Sequence, residues 1–296
     1  MGPNGATRSH ARLLASQMLV RAGLWKEAEA LHAEAVRAID PQRLNAERLA
    51  AELDILRTEG ELLSHELSLA LSQGSLAIPA TPAGGKGREK WQCLSRSQLG
   101  QDLWVLEQLN WKPGGYFVEF GATDGVLLSN TWLLEKHFGW QGICAEPNPK
   151  LFERLKQNRS CLTSPACIYR STGERMRFVL ADAYGGLEVL GQDDQHVNKR
   201  NAYAAAGDLI EVTTTSLMDL LQQNQAPPVI DYLSIDTEGS ELEILAGIDW
   251  GRHQFRCITV EHNFTAQREG IQALLEAQDY QRLEAQWDDW YWKEID

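Results

Sequence analysis

Short apolar segments alternate with helical segments over much of the chain, and this alternation limits the folds that it can adopt. The four pairs are YFVEF with NTWLLEKHF, GICAE with NPKLFERLKQN, DYLSID with SELEILAGI, and FRCITVEHN with REGIQALLEAQ. Apolar runs that alternate with helices in this way indicate a parallel sheet covered by helices on both faces. The final segment, YQRLEAQWDDWYWKE, predicts a hairpin at the sheet edge. We therefore predict an α/β fold.

Helix boundary signals agree with this pattern. They are an N-cap at Asn148 before Pro149, a capping box formed by Ser240 and Glu243, and a terminating Gly139. Between Arg170 and Val212 the pattern is irregular, with one short strand in MRFVLAD. We predict that this stretch is an insertion near the functional site.

Composition divides the chain into three parts. Residues 1–72 are rich in Ala, Leu and Glu, and apolar residues recur at intervals of three and four residues. This pattern predicts an all-α segment. Residues 73–90 mix Gly, Pro, Ser and Ala without periodicity, which is typical of a flexible linker. The predicted α/β domain occupies residues 91–296.

The helical segment contains AGLWKEAEALHAEAVRAIDP, which resembles one tetratricopeptide repeat. One such unit cannot bury its own apolar face, because these repeats are stabilised by their neighbours. We therefore predict that residues 1–72 pack on the rest of the chain, form a homodimer or bind a protein partner.

The charge of the chain limits its partners. The formal net charge is 28 − 41 = −13. Residues 1–90 are balanced, so residues 91–296 carry the whole excess. An acidic surface repels nucleic acid and anionic membranes, so we predict no nucleic acid partner and favour a neutral or cationic substrate.

The sequence also indicates a compartment. No apolar stretch approaches the roughly 20 residues of a membrane span, and the first residues lack the apolar core of a signal peptide. The five cysteines are an odd number without CxxC spacing, which favours reduced thiols. We expect a cytoplasmic protein with no membrane span.

The segment YFVEFGATDG ends an apolar strand with the spacing Glu119-x-Gly121-x-x-x-Gly125. The dinucleotide pattern GxGxxG fails here, because Thr123 and Val126 stand where its later glycines belong. The spacing is that of S-adenosylmethionine-binding folds, although a plain strand-turn-helix has the same appearance. Glu146 ends the next strand, about 20 residues further on, where a carboxylate can accept both hydroxyls of a ribose. The two acids together favour an adenosyl cofactor.

Four blocks occur in the order of a known family: SQLGQD (97–102), FVEFGATDGVLLSNTWLLEKHFGWQGICAEPNP (117–149), IDYLSIDTEGSELEIL (230–245) and ITVEHN (258–263). Together they resemble the FkbM-type methyltransferase family over residues 95–283. The resemblance implies a class I, Rossmann-like methyltransferase fold with a seven-stranded sheet whose last strand is antiparallel. It also implies methylation of hydroxyls on sugars, glycolipids or secondary metabolites.

The resemblance implies a cofactor-binding set for S-adenosyl-L-methionine. Its members are Glu119, Gly121, Ala122, Asp124, Gly125, Ser129, Asn130, Glu146, Pro147, Asn148 and Asp236. Gln98 and Asp102, in SQLGQD, are expected at the edge of that site; the alternative is that they are surface residues.

The segments IDTEG and VEHN follow two further strands and supply the candidate catalytic residues His262, Asp236 and Glu238. Similarity to macrocin-type O-methyltransferases implies a divalent cation, Mg, Mn or Ca, held by Asp236, Glu261 and His262. Either a neutral imidazole or a cation can assist removal of a hydroxyl proton. Alternatively, Glu238 bonds backbone amides of its turn and His262 is a satisfied histidine at a strand end.

Two functions are therefore open. The first is an S-adenosylmethionine-dependent O-methyltransferase acting on a sugar, glycan or carbohydrate-bearing metabolite. The second is a cofactor-binding scaffold without turnover that recruits a partner through its N-terminal helices. The intact acids and His262 favour the enzyme.

Overall fold

The computed structural model describes residues 87–181, 184–190 and 197–295, except for the side chain of Glu89. The chain divides into two compact units, Met1–Leu94 and Ser95–Asp296. In the first unit the described element is helix α1, Arg88–Gln92. The predicted helical segment and almost all of the predicted linker lie outside the described residues.

The second unit alternates strands and helices as predicted. Its helices are α2 (Gln101–Gln108), α3 (Trp132–Phe138), α4 (Pro149–Asn158), α5 (Val197–Ala206), α6 (Leu217–Gln223), α7 (Glu241–Ala246) and α8 (Gln267–Glu276). Its strands are β1 (Tyr116–Phe120), β2 (Gln141–Ala145), β3 (Leu162–Ser164), β4 (Cys167–Tyr169), β5 (Arg175–Val179), β6 (Gly186–Leu187), β7 (Leu209–Ser216), β8 (Val229–Ile235), β9 (Gln254–Glu261), β10 (Gln281–Glu284) and β11 (Asp288–Trp292).

The main sheet has seven strands in the order β10-β11-β9-β8-β1-β2-β3. The five strands from β9 to β3 are parallel to their neighbours, whereas β11 is antiparallel to both β9 and β10. The predicted seven-stranded sheet with an antiparallel last strand and the predicted C-terminal hairpin are confirmed. The strand order reverses between β1 and β8, and ligands of open α/β sheets bind at such switch points.

Both faces of the main sheet are buried. Val118 and Phe120 of β1 lie in an apolar core with residues of α6, α7 and α8, such as Leu221 and Leu275. Side chains alternate along a strand, so Phe117, which is also fully buried, faces the other side. The nearly continuous apolar run of β1 thus agrees with its central position, where both of its faces are covered.

A second sheet contains four strands in the order β4-β7-β5-β6. The strand predicted in MRFVLAD is β5, which pairs antiparallel with β7 and β6. The buried side chains of the second sheet form a small separate core of Cys167, Tyr169, Phe178 and Leu187. The irregular stretch of the sequence thus contributes β5, β6, the start of β7 and helix α5.

All three predicted helix boundaries are confirmed. Gly139 ends α3 in the left-handed conformation (φ 68°), and the Asn148 side chain accepts a hydrogen bond from the Lys150 amide. Ser240 is the N-cap residue of α7, but the predicted capping box is wrong, because the Ser240 side chain makes no capping hydrogen bond. Instead, the Glu241 carboxylate accepts hydrogen bonds from the amides of Thr237 and Gly239.

Within the described ranges, no helix combines the length and the apolar character that crossing a membrane requires.

Candidate active site

A cleft of about 520 Å³, open to solvent, lies where the carboxyl ends of β1, β2 and β8 meet the second sheet. Its position is the switch point of the main sheet. The residues that line it are Phe120, Gly121, Thr123, Ala145, Glu146, Pro147, Ala166, Cys167, Ile168, Phe178, Gly185, Leu187, Asp236, Thr237, Glu238 and Ser240. Of the predicted cofactor-binding residues, Gly121, Glu146, Pro147 and Asp236 line this cleft.

Gly121 brings the end of β1 against the end of β8. Its backbone is left-handed (φ 69°), and a Cβ atom built on it would lie 1.8 Å from the carbonyl oxygen of Asp236. Such a contact is impossible, so the position requires glycine even before a ligand is considered. The next residue, Ala122, is buried, and its amide donates to the carbonyl oxygen of Ala145 in β2.

Apart from Thr123, the rest of the glycine turn packs on the protein and not on the cleft. A Cβ atom at Gly125 would lie 2.7 Å from Leu155 Cδ1 and 2.6 Å from Arg159 Cγ. The Asp124 carboxylate accepts hydrogen bonds from the amides of Val126 and Leu127, 2.9 and 2.7 Å away, and so closes its own turn. These two predicted cofactor ligands are thus residues that shape the turn.

Glu119 is the centre of a buried polar network. Its carboxylate accepts hydrogen bonds from the Asn130 amide (2.6 Å), the Ser129 hydroxyl (3.1 Å) and the Thr131 hydroxyl (2.6 Å). Arg159 Nη1 lies 3.3 Å from Glu119 Oε2, and both side chains are almost fully buried. The Glu119 oxygens thus hold residues 129–131, and binding of the cofactor by Glu119 stays a prediction.

Ser129 and Asn130 serve the same network. The Ser129 hydroxyl also accepts from the Trp132 amide, and Asn130 Nδ2 donates to the Ser234 hydroxyl of β8. Neither residue lines the cleft, although both were predicted to bind the cofactor. Their positions fix the start of α3 against the centre of the sheet.

Arg159 is a residue that the sequence interpretation missed. It follows α4, and its Nε atom lies 2.6 Å from Glu135 Oε2 in addition to the contact with Glu119. The Arg159 guanidinium and a hydrogen bond from the Ser160 amide lower the pKa of Glu135 to about 2, against the opposing effect of burial. The sequence around Arg159, NRSC, contains no motif that would predict its contacts with Glu119 and Glu135.

Glu146 joins the glycine turn to the second strand. Its Oε2 accepts from the Thr123 amide at 3.0 Å, and its Oε1 accepts from the Asn148 amide at 2.7 Å. Burial raises its pKa to about 7, although these hydrogen bonds oppose the shift. Each oxygen keeps a lone pair, so the carboxylate can still accept the hydroxyls of a ribose. Asn148 itself caps α4 and contacts the cleft only through Glu146.

Three carboxylates meet at the ends of β8 and β9. One oxygen of each of Asp236, Glu238 and Glu261 lies within 4.8 Å of the others. Burial raises the pKa of Asp236 to about 7, and burial together with the charges of Asp236 and Glu238 raises that of Glu261 well above its ordinary value. At neutral pH Asp236 can therefore exchange a proton, and burial favours the neutral form of Glu261.

The cluster has one cationic neighbour among the residues described. Arg200 Nη1 of α5 lies 3.0 Å from Glu238 Oε2, and both side chains are buried. Glu261 Oε2 is buried and has no hydrogen-bond partner. Arg200 thus balances the charge of Glu238, whereas the Glu261 oxygen is left unsatisfied.

His262 does not reach this cluster. Its Nδ1 accepts from the Phe264 amide at 3.0 Å, and its Nε2 lies 3.7 Å from Asp289 Oδ1. Successive side chains of a strand point to opposite sides, so Glu261 and His262 diverge. The prediction that His262 completes the metal-ligand set is wrong, because Glu238 takes the third position in the cluster. The role of His262 as a base stays a prediction.

Gln98 and Asp102 lie outside the cleft as well. Trp287 Nε1 donates to Gln98 Oε1 at 3.0 Å. Asp102 is fully buried and accepts hydrogen bonds from the hydroxyls of Ser95 and Ser97. These residues attach the segment before α2 to the fold, so neither the predicted site edge nor the surface alternative describes Asp102.

Some of the described non-glycine residues with a positive φ lie close after the strands that end at the site. Thr123, Glu238 and Asn263, which follow β1, β8 and β9, have φ values of 47°, 60° and 44°. Side chains other than glycine rarely adopt such values, and strained residues of this kind collect at functional sites.

A sequence model described as the methyltransferase FkbM domain matches residues 119–290, which is more than half of the chain. The chain belongs to the FkbM methyltransferase family. The predicted family is thereby confirmed. A search of curated proteins found no match.

Solved structures similar to this FkbM chain include three methyltransferases. The FkbM methyltransferase of Methylobacillus flagellatus KT is 14% identical, with a TM-score of 0.40, and the match covers 61% of this chain and 44% of that protein. The METTL16 methyltransferase domain is 15% identical, with a TM-score of 0.37 and 66% of each chain covered. The human methyltransferase 10 domain containing protein is 15% identical, with a TM-score of 0.36, and covers 66% of this chain and 80% of its own.

The FkbM chain thus spans less than half of the Methylobacillus protein and 66% of the METTL16 domain that it matches.

The site of this FkbM domain fits both of the groups predicted for it. Gly121 opens the turn at the end of β1, and Glu146 offers ribose-binding oxygens in the cleft. The carboxylates of Asp236, Glu238 and Glu261 are hard oxygen ligands of the kind that Mg²⁺, Mn²⁺ and Ca²⁺ prefer. The unsatisfied Glu261 oxygen is compatible with a cation, which stays a prediction.

Proposed function

We propose that this protein transfers the methyl group of S-adenosyl-L-methionine to a hydroxyl oxygen of a sugar, glycan or carbohydrate-bearing metabolite. The observation that carries the proposal is the carboxylate cluster beside the cleft. Asp236 lines the cleft, and burial raises its pKa to about 7. A base with a pKa near the working pH is the group that removal of a hydroxyl proton requires.

The cofactor occupies the cleft in this proposal. Glu146 accepts the ribose hydroxyls, and the backbone at Gly121 borders the methionine part. The lining is polar on the side of β1, β2 and β8 and apolar at Ile168, Phe178 and Leu187. Such a division suits a molecule with a charged end and a flat aromatic base.

When bound, S-adenosylmethionine supplies an electrophilic methyl group. Methyl transfer from a sulfonium is an in-line displacement, so the protein mainly positions the acceptor oxygen. The Asp236 carboxylate takes the proton of the acceptor hydroxyl. Glu261, whose pKa burial raises well above its ordinary value, shares a hydrogen bond with Asp236, and this bond favours the ionised form of Asp236.

The charge of the cluster supports a neutral acceptor. The Arg200 guanidinium balances Glu238, and the chain as a whole has a net charge of −13. An anionic acceptor would approach buried carboxylates at a large electrostatic cost. Sugar hydroxyls are neutral and donate hydrogen bonds to carboxylates, so they suit this site.

A divalent cation is the second way to acidify the hydroxyl. Asp236, Glu238 and Glu261 would hold it, and it would polarise the acceptor oxygen. EDTA should then stop methyl transfer without preventing cofactor binding, and added Mg²⁺, Mn²⁺ or Ca²⁺ should restore the transfer. Full activity in EDTA would show that no cation is required and that the carboxylates act only as the base.

The test of the function is release of S-adenosylhomocysteine in the presence of a panel of sugars and cell glycans. Wild-type protein should release it with at least one acceptor. Asp236→Asn should bind the cofactor and lose roughly 100-fold or more of the rate, which is within the usual contribution of a general base. Cofactor binding without release for any acceptor would favour the scaffold function instead.

A further inference from the structure

Two thiols lie side by side between the second and third strands. Cys144 is buried in β2, and Cys161, which directly precedes β3, is partly exposed. Their sulfur atoms are 3.6 Å apart. A disulfide bond is about 2.05 Å long, so an approach of roughly 1.5 Å would join them.

The thiol pair is hydrogen-bonded to the Glu119 network. The Cys161 thiol donates to Cys144 Sγ, and the Cys144 thiol donates to Glu119 Oε2 at 3.5 Å. The same Glu119 oxygen lies 3.3 Å from Arg159 Nη1. The state of the sulfurs is therefore linked to the carboxylate that fixes residues 129–131.

We propose that Cys144 and Cys161 are an oxidation site, which a peroxide converts into a disulfide and which thereby weakens cofactor binding. The oxidation stands on the geometry of the two sulfurs alone. The effect on the cofactor rests in addition on the proposed function of the cleft.

The reaction proceeds in two balanced steps. The Cys161 sulfur attacks hydrogen peroxide, the oxygen-oxygen bond breaks, and a sulfenic acid and one water form. The Cys144 sulfur then attacks the Cys161 sulfur, the sulfur-oxygen bond breaks, and a second water leaves with the thiol proton. The two sulfurs lose two electrons in total, and the peroxide oxygens gain them.

The order of the steps follows from exposure and charge. Cys161 is the accessible thiol, and the Arg159 guanidinium, two residues away, interacts with both sulfurs. The more accessible thiol meets the peroxide first, because susceptibility to oxidation follows exposure. Cys144 is buried, which raises its pKa, so it reacts second as the resolving thiol.

The disulfide reaches the cofactor site through the end of β2. It displaces Cys144, and Ala145 and Glu146, which directly follow Cys144, line the cleft. It also removes the thiol proton that Cys144 shares with Glu119, which lies outside the cleft. A displaced Glu146 loses its alignment with the ribose.

The experiment uses the full chain with and without hydrogen peroxide. Peptide mapping should find Cys144 linked to Cys161, with a mass loss of about 2 Da for the two hydrogens, and dithiothreitol should reverse it. Cys161→Ser should form no such link. Cys93→Ser, which removes an exposed cysteine that this proposal does not use, should behave like the wild type.

Calorimetric titration with S-adenosylmethionine gives the second reading. Oxidation should weaken binding by roughly 5-fold or more in the wild type and in Cys93→Ser, and not in Cys161→Ser. Absence of the Cys144–Cys161 link after peroxide treatment would overturn the oxidation site. A complete link with unchanged affinity would overturn the coupling, and failure of the reduced protein to bind the cofactor would count against the proposed function instead.

Discussion

A methyl group placed on Gly121 would lie 1.8 Å from the carbonyl oxygen of Asp236, so the turn after β1 and the acid after β8 are in direct backbone contact. Gly139 has almost the same backbone, with φ values of 68° and 69° at the two positions, but a Cβ atom there would meet nothing within 4 Å. Substitution of the two glycines therefore separates two effects. Both variants acquire backbone strain, but only the variant at Gly121 also acquires a steric clash with Asp236.

Gly121→Ala should destabilise the protein much more than Gly139→Ala. A left-handed alanine costs about 1 kcal/mol, and overpacking adds about 1–3 kcal/mol at Gly121 alone. Urea unfolding measures both losses, and calorimetry should show that Gly121→Ala also abolishes cofactor binding. Equal losses in the two variants would contradict the close contact with Asp236.

Arg159 should be the most costly charged residue of the α4 region to replace. Its buried guanidinium contacts Glu119 and Glu135, and breaking a buried ion pair costs about 3–5 kcal/mol. Arg159→Met should lower the free energy of unfolding by that amount. Lys156→Met is the matched control, because Lys156 pairs with Glu153 on the surface, where such pairs contribute about 0–1 kcal/mol. A small effect of Arg159→Met would show that the network is dispensable.

The sequence allowed the topology of the main sheet to be predicted, because alternating segments with helix signals leave few arrangements of a parallel sheet. The sequence also predicted that Gly121, Glu146 and Asp236 lie at one edge of the main sheet, because the carboxyl ends of parallel strands lie at the same edge. The partners of Glu119 could not be predicted, because Arg159 and Thr131 reach it through the tertiary fold, without a spacing that signals contact.

The error at His262 has a different origin. Both Glu261 and His262 are polar residues at the end of β9, and the sequence does not say which of them points to the cleft. That choice depends on the side-chain alternation of the strand and on the hydrogen bond from the Phe264 amide to His262. Arg200 could not be assigned either, because α5 lies in the stretch that lacks readable periodicity.

Glu146 should contribute to cofactor affinity directly. Glu146→Gln replaces one accepting oxygen by a donor that faces the amides of Thr123 and Asn148. Affinity for S-adenosylmethionine should fall by about 1–3 kcal/mol, the usual cost of losing hydrogen bonds to a charged group. Calorimetry measures the affinity of this variant and of the control Glu153→Gln. Glu153 is exposed on α4, so the control should bind the cofactor normally. Normal binding by Glu146→Gln would contradict the assignment to the ribose.

The buried acids predict a dependence of stability on pH. Burial raises the pKa of Asp236 from 3.8 to about 7, so the folded protein holds this proton more tightly than the unfolded chain does. The stability that Asp236 contributes is complete at pH values below its pKa in the unfolded chain. That stability is lost as the pH rises through the pKa of Asp236 in the folded protein. Relative to Asp236→Asn, the cofactor-free wild type should therefore lose stability between about pH 4 and pH 7. Parallel curves for the two proteins in urea unfolding at several pH values would contradict the raised pKa.

The position of the transferred methyl group tests the central claim most directly. Wild-type protein is incubated with S-adenosylmethionine that carries an isotope label in its methyl group, together with an extract of sugars and glycans, and the products are identified by nuclear magnetic resonance. The account predicts label in a methoxy carbon of a carbohydrate, and roughly 100-fold less of it with Asp236→Asn. Label found only on nitrogen, sulfur or carbon, or undiminished with Asp236→Asn, would contradict it.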